Sequence, residues 1–350
     1  YSSWLEQKSD RLEKEEKTES KRRKNLKKEL EWTRMNAKGR QSKSKARLAN
    51  YDKLLSESSN DKEARLELFI PNGPRLGNEV LDVTNFDALK NCVLKNEITQ
   101  IYHLVAILSA KGEEAPLQTW DINMGCLFNV LEVSRLCKID KIFYPSSIAV
   151  FGNNIEMDNT PQSPNLTPLT VYGISKASGE NWVNYYCNKY GLDIRSIRYP
   201  GVVGYQSLPG GGTTDYAVDI FHKAIREEEV FSCFLKASTQ LPLIFIDDAI
   251  RATIELMDAP AQNIKIRTSY NLAGFTCTPE ELYNTIKQVY PDFKIAYKPD
   301  FRQDIADSWP NSIDDSSAVN DWNWKPKFDL ESMTHVMIKE LKKKFKAAIV

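Results

Sequence analysis

From Glu67 onward the chain alternates short apolar runs, such as "TQIYHLVAIL", "KIFYPSS" and "DIRSIRYP", with helical stretches. Strands separated by a helix's length of chain lie side by side in a parallel sheet, with the helices as its crossovers. The alternation therefore dictates an α/β fold. From about Phe231 it becomes a mixture of short strands with helices expected at 247–258, 278–290 and 329–347, a smaller lobe packed on the sheet. No internal repeat is visible.

Residues 1–58 have a different character. Glu, Lys, Arg, Leu and Gln dominate from Ser2 to about Ser58, with no proline and a turn near Gly39, as a basic helical hairpin requires. The net charge of zero hides the asymmetry: Lys21 to Arg47 holds twelve Lys and Arg against Glu29 and Glu31. Such a stretch either meets a polyanion or is a solvated face, and charge alone leaves both open. The division expected is a hairpin over 1–58, a junction over 59–80, a truncated Rossmann-like domain over 81–230 and a substrate-binding lobe over 231–350. The six cysteines show no C-x-x-C pairing and only three histidines accompany them, which points to a reduced, cytoplasmic setting without structural zinc. No apolar run reaches membrane-spanning length, and no signal peptide is visible. The chain opens at Tyr1 rather than methionine, as a segment of a longer protein would.

The stretch "IPNGPRLGNEVLDVTNFDALKNCV", Ile70 to Val93, raises a difficulty. Its second half reads as an internal piece of a dinucleotide-binding sheet, which should follow a glycine-rich phosphate loop, yet neither G-x-x-G-x-x-G nor G-x-x-x-x-G-K-[ST] occurs anywhere. The expected sheet is therefore an incomplete Rossmann-like one. Four Tyr-x-x-x-Lys pairs occur, Tyr172/Lys176, Tyr185/Lys189, Tyr283/Lys287 and Tyr290/Lys294. The helical spacing puts both side chains of a pair on one face. Only Tyr172 follows a strand ending in a serine, Ser147, so Ser147, Tyr172 and Lys176 are the catalytic candidates. A free phenol, of pKa about 10, is a poor base near neutrality, and the Lys176 ammonium together with the positive ring of an oxidised nicotinamide is expected to make it a better one. The "PGGGTT" stretch reads either as a loop that closes over a ligand, with a helix starting at Thr213 or Thr214 offering amides to a carboxylate, or as a plain turn with a threonine cap. Asp248 is expected to cap a helix, and His103 to line a strand end.

Two resemblances go further. Residues 1–80, in particular "SKRRKNLKKELEWTRMNAKGRQSKSKARLANYDKLL" followed by "FIPNGPRLGNEV", resemble the interdomain arm of ABC-F ATPases, nearest the energy-dependent translational throttle branch. This implies contact with tRNA or ribosomal RNA through residues 1–58. The strings "FYPSSIAVFG", "TPLTVYGISKASGENW", "PGGGTTDYAVDIF" and "ADSWPNSIDDS" resemble L-threonine 3-dehydrogenases of the extended short-chain type, over about 81–341. That resemblance implies oxidation of L-threonine to 2-amino-3-ketobutyrate with NAD: Tyr172 takes the proton, Ser147 orients the oxygen, and Lys176 holds the tyrosine and the cofactor ribose. It implies cofactor contacts at Asp82, Val83, Leu104, Lys176, Tyr199 and Pro200, and substrate contacts at Ser109, Thr214 and Trp309. It also implies a homodimer paired through helices around 115–137 and 170–190.

The missing loop then predicts that the Ser-Tyr-Lys chemistry survives while NAD binds weakly or not at all. Three readings stay open: a dehydrogenase in which another segment replaces the lost unit, an RNA-binding arm carrying an inert domain, and a fusion artefact.

Overall fold

A computed structural model describes residues 82–210, 212–226 and 230–347, and the basic hairpin expected over 1–58 and the junction over 59–80 lie outside them. Asn85 opens the first helix, α1 (Phe86–Lys95), by accepting a hydrogen bond from the Ala88 amide at 3.0 Å. It leads to β1 (Gln100–Tyr102), the short α2 (Ser109–Gly112) and the long α3 (Pro116–Cys137). Next come β2 (Lys141–Ser147), α4 (Val171–Tyr190), β3 (Ile194–Tyr199), β4 (Gly201–Val203) and α5 (Tyr216–Ile225). The remaining elements are β5 (Phe231–Cys233), β6 (Leu241–Phe245), α6 (Ile246–Asp258), β7 (Tyr270–Asn271), β8 (Phe275–Cys277), α7 (Pro279–Lys287), β9 (Ile295–Tyr297), α8 (Arg302–Asp307), α9 (Ser316–Trp322) and α10 (Leu330–Ala347).

The main sheet has the order β1-β2-β3-β7 and is parallel throughout, with Ile101 opposite Ile142, Ser147 opposite Tyr199 and Ile197 opposite Tyr270. This is the α/β, Rossmann-like architecture expected. Successive residues of β2 enter opposite cores, as the strand period requires. Ile142 and Tyr144 pack with Leu89, Leu127, Leu131 and Val183 from α1, α3 and α4, whereas Phe143 packs with Ile197, Leu256, Tyr270 and Trp324 on the other face. Among the described residues β1 pairs only with β2, and Tyr102 beside that edge is exposed.

Two further sheets build the second half. In β4-β6-β8 the first pair is parallel and the second antiparallel, and β5 pairs with β9 in parallel. The two halves are interlaced, since β7 returns to the main sheet while β4, which follows β3 directly, joins β6. Arg195 of β3 is fully buried and donates from Nη1 to the carbonyls of Leu256 and Ala259, both at 2.6 Å, closing the C-terminal end of α6.

The helices expected at 247–258 and 329–347 appear as α6 and α10. The one expected at 278–290 stops at Lys287. Pro291 disfavours helical geometry at Tyr290, so the turn begins before it. For the same reason Tyr290 and Lys294 are not a helical pair.

Candidate active site

The site forms where β2 ends and α4 begins. Thr170 caps α4 by accepting from the Gly173 amide at 3.1 Å, and Glu113 accepts from the Val171 amide at 2.8 Å, which ties α4 to the α2 segment. Gly173 lets the helix press against the turn that follows Ser147: a Cβ there would lie 2.1 Å from the Ala149 carbonyl oxygen. Tyr172 at the start of α4 and Ser147 at the end of β2 thereby line the same cavity. Buried Asn123 of α3 holds the facing wall, accepting from the Ile107 amide at 2.8 Å and donating to Ser175 Oγ at 3.2 Å.

These elements enclose a cavity of about 320 Å³. Nine of the sequence-derived residues line it: Leu104, Ser109, Ser147, Tyr172, Lys176, Tyr199, Pro200, Thr214 and Trp309. Asp82 and Val83 are not among the lining residues. The Asp82 carboxylate accepts from the Thr84 amide and hydroxyl, and the Val83 carbonyl accepts from Asn129 Nδ2 at 2.9 Å.

Lys176 is buried, donates from Nζ to the Pro145 carbonyl at 2.6 Å, and lies 4.8 Å from the Tyr144 ring centre and 5.6 Å from that of Tyr172. Burial pulls its pKa down to about 7, opposed by the charge of Glu180. The Tyr172 phenol is pushed up to about 12 by burial, against the lowering effect of the Ser147 hydrogen bond. Among the protein's own groups desolvation is the larger effect on the phenol; the expected activation also invokes the positive nicotinamide ring of an oxidised cofactor.

Other expectations resolve locally. Tyr185 and Lys189 form a surface hydrogen bond at 2.5 Å, and Tyr283 donates to the Phe293 carbonyl at 2.9 Å, so neither belongs to the cavity. His103 sits just beyond β1, stacked on Tyr144 at 6.3 Å, and burial with the Lys176 charge depresses its pKa to about 3. Asp248 does not cap a helix, because the residue before α6 is Phe245. Its carboxylate accepts from Arg251 at 2.7 Å and from the Lys327 and Phe328 amides, clasping a later loop.

The glycine loop differs from expectation too. The helix starts at Tyr216, not at Thr213 or Thr214, and the Asp215 carboxylate accepts from the Gly210 and Gly212 amides at 2.7 and 2.8 Å. Those two amides are taken by the protein itself. Sequence reasoning named Thr213 only as a helix start and missed its hydroxyl, 3.2 Å from that of Ser109, and the buried ion pair of Glu180 with Arg198 at 2.7 Å. The position of Glu180, two helical turns beyond Tyr172 in a Tyr-Lys-Glu ladder, was the available signal.

Together, a parallel Rossmann-like sheet and a Ser-Tyr-Lys cluster at its strand ends define a dehydrogenase-like α/β protein. The profile of the NAD dependent epimerase/dehydratase family matches residues 38–273, and the chain belongs to that family. The match begins inside the stretch expected to form the basic hairpin. An uncharacterized epimerase/dehydratase of Staphylococcus saprophyticus is 44% identical over 281 residues, covering 80% of this chain and 86% of the relative. Among solved structures, the holo form of a GalE-like L-threonine dehydrogenase from Cupriavidus necator is 47% identical, with a TM-score of 0.75 over 78% of this chain and 89% of that one. A monomeric L-threonine 3-dehydrogenase from a metagenome, in its apo form, is 44% identical with the same TM-score and the same coverage. The fold is thus that of the threonine dehydrogenases.

Proposed function

We propose that the site oxidises the C3 hydroxyl of L-threonine to give 2-amino-3-ketobutyrate. The observation that carries the proposal is a single cavity in which Ser147, Tyr172 and Lys176 face Ser109, Thr214 and Trp309. Ser147 hydrogen-bonds the substrate oxygen and orients it, the Tyr172 oxygen receives the hydroxyl proton, and the Lys176 ammonium favours the phenolate. The half-buried Gly212 and Thr214, with the buried Thr213 and Trp309, limit water around the reacting carbon.

NAD, when bound, supplies the hydride acceptor and a positive charge near the phenol. Leu104, Tyr199, Pro200 and Lys176 would hold its nicotinamide side. These residues fit that role, since the Tyr199 hydroxyl is engaged by Thr253 and leaves the ring edge to form the wall. Asp82 and Val83 would hold the adenine side. A pyrophosphate cradle of the G-x-x-G-x-x-G type is absent from the sequence, so affinity for the cofactor is weak.

The proposal extends to a homodimer formed through α3 and α4, on which Leu136, Trp182, Tyr185 and Tyr190 are exposed. RNA contact through residues 1–58 stands on sequence resemblance alone. The test of the reaction is NADH formation from L-threonine, L-serine and a UDP-hexose in parallel. L-threonine alone should give NADH; a preference for the sugar nucleotide would overturn the reading.

A further inference from the structure

Tyr172, Lys176 and Glu180 succeed one another at four-residue intervals on α4, so their side chains share one face. The first two line the cavity, while Glu180 sits beneath it and is only 1% exposed. Its carboxylate is fully engaged. Oε1 accepts from Ser146 Oγ at 2.6 Å and from Arg198 Nε at 2.9 Å, and Oε2 accepts from Arg198 Nη2 at 2.7 Å. Arg198 is anchored in turn to the Gln162 carbonyl at 2.7 Å and Asn271 Oδ1 at 3.0 Å. A carboxylate gripped from three directions cannot swing away, and in a water-poor interior its charge is felt at the next turn of the helix.

The other groups around Lys176 are uncharged, and the Tyr144 and Tyr172 rings lie within cation–π reach of its Nζ. On its own helix lies the neutral phenol of Tyr172, from β2 the Tyr144 ring, and from the segment after β1 the neutral imidazole of His103. Its one hydrogen bond goes to the Pro145 carbonyl. Glu180 is the single anion acting on it among the described residues, and it opposes the desolvation that would otherwise strip the proton.

We propose that Glu180 is a positioning residue of the site: locked by Arg198 and Ser146, it supplies the counter-charge that keeps the Lys176 ammonium protonated beneath the Tyr172 phenol. This rests on the reading of Ser147, Tyr172 and Lys176 as catalytic groups, but its test does not need turnover. A pair that merely braced the fold would change stability and leave the proton affinity of Lys176 alone.

The experiment follows the Lys176 side chain by ¹⁵N NMR across a pH series in the wild-type chain, in Glu180→Gln, and in Glu180→Gln/Arg198→Met, which avoids leaving Arg198 as an unpaired buried charge. A surface control, Glu132→Gln, leaves the lysine unaffected. Removing the anion alone should lower the proton affinity of Lys176 roughly tenfold, and by less but in the same direction in the double variant, which also loses the Arg198 charge. In turnover, the alkaline limb of the kcat profile should move to lower pH with KM little changed. An unaltered Lys176 titration in the folded double variant would overturn the proposal. A shifted titration in a chain that does not oxidise L-threonine would uphold the role of Glu180 and sink the catalytic reading instead.

Discussion

Ser109 Oγ lies 3.2 Å from Thr213 Oγ1, a contact between residues 104 apart that joins the short helix after β1 to the glycine loop. Both side chains line the cavity, so the contact fixes the width of the proposed substrate end. One hydrogen bond of this kind is worth about 1 kcal/mol. Thr213→Val should therefore raise KM for L-threonine about fivefold while kcat stays within about twofold, as steady-state kinetics would show.

The Asp215 carboxylate holds the same loop through the Gly210 and Gly212 amides. Asp215→Ala releases both. The expected outcome is a KM about tenfold higher, with limited proteolysis cutting faster near residue 210. Unchanged cleavage and KM would mean that the latch is dispensable.

At Gly173 the limit is steric. A methyl group 2.1 Å from the Ala149 carbonyl oxygen meets backbone rather than a yielding side chain, so the start of α4 must move. Gly173→Ala should lower Tm and reduce turnover about a hundredfold or more, because a shift of about 1 Å moves Tyr172 relative to Ser147 within the cavity.

Two buried bases make stability depend on pH in a defined direction. The His103 pKa is held near 3, so the unfolded chain binds more protons than the folded one between about pH 6.5 and 3, and stability falls as pH drops through that window. His103→Phe should flatten the acid limb of a Tm-versus-pH curve. Lys176, held near 7, also binds fewer protons when folded, between about pH 7 and 10.5, so its cost is greatest below pH 7 and fades as pH rises. Lys176→Met should therefore raise Tm by about 5 °C near pH 6 and by less near pH 9, while abolishing turnover.

Much of this site could be read from spacing. Tyr172 stood apart from three other Tyr-x-x-x-Lys pairs because a strand-end serine preceded it, and Ser147 and Tyr172 line the same cavity. What spacing could not convey was the dielectric cost. Burial is the larger effect at both the phenol and the ammonium, and only the three-dimensional enclosure shows it. Asp248 was misread for a similar reason: its partners Lys327 and Phe328 are about 80 residues away in sequence. Thr214 came from the family resemblance and does line the cavity, whereas the Ser109 contact of Thr213 spans 104 residues of sequence. In the fold, the apolar runs gave the parallel strands, but the exchange of β4 and β7 between the two halves depends on pairings that no local pattern encodes.

The absent phosphate loop makes cofactor affinity the next quantity to check. Calorimetric titration of the 350-residue chain with NAD should show a dissociation constant about millimolar or weaker, since the sequence holds no G-x-x-G-x-x-G run. Micromolar affinity would mean that another segment has taken over that role.

The account rests most directly on NADH formation from L-threonine at NAD concentrations high enough to offset weak binding, compared between the wild-type chain and Tyr172→Phe. It predicts measurable turnover by the wild type and a loss of about a hundredfold to ten-thousandfold in the variant, the usual range for removing a general base. No NADH from a folded wild-type sample, or equal rates for the two proteins, would contradict it.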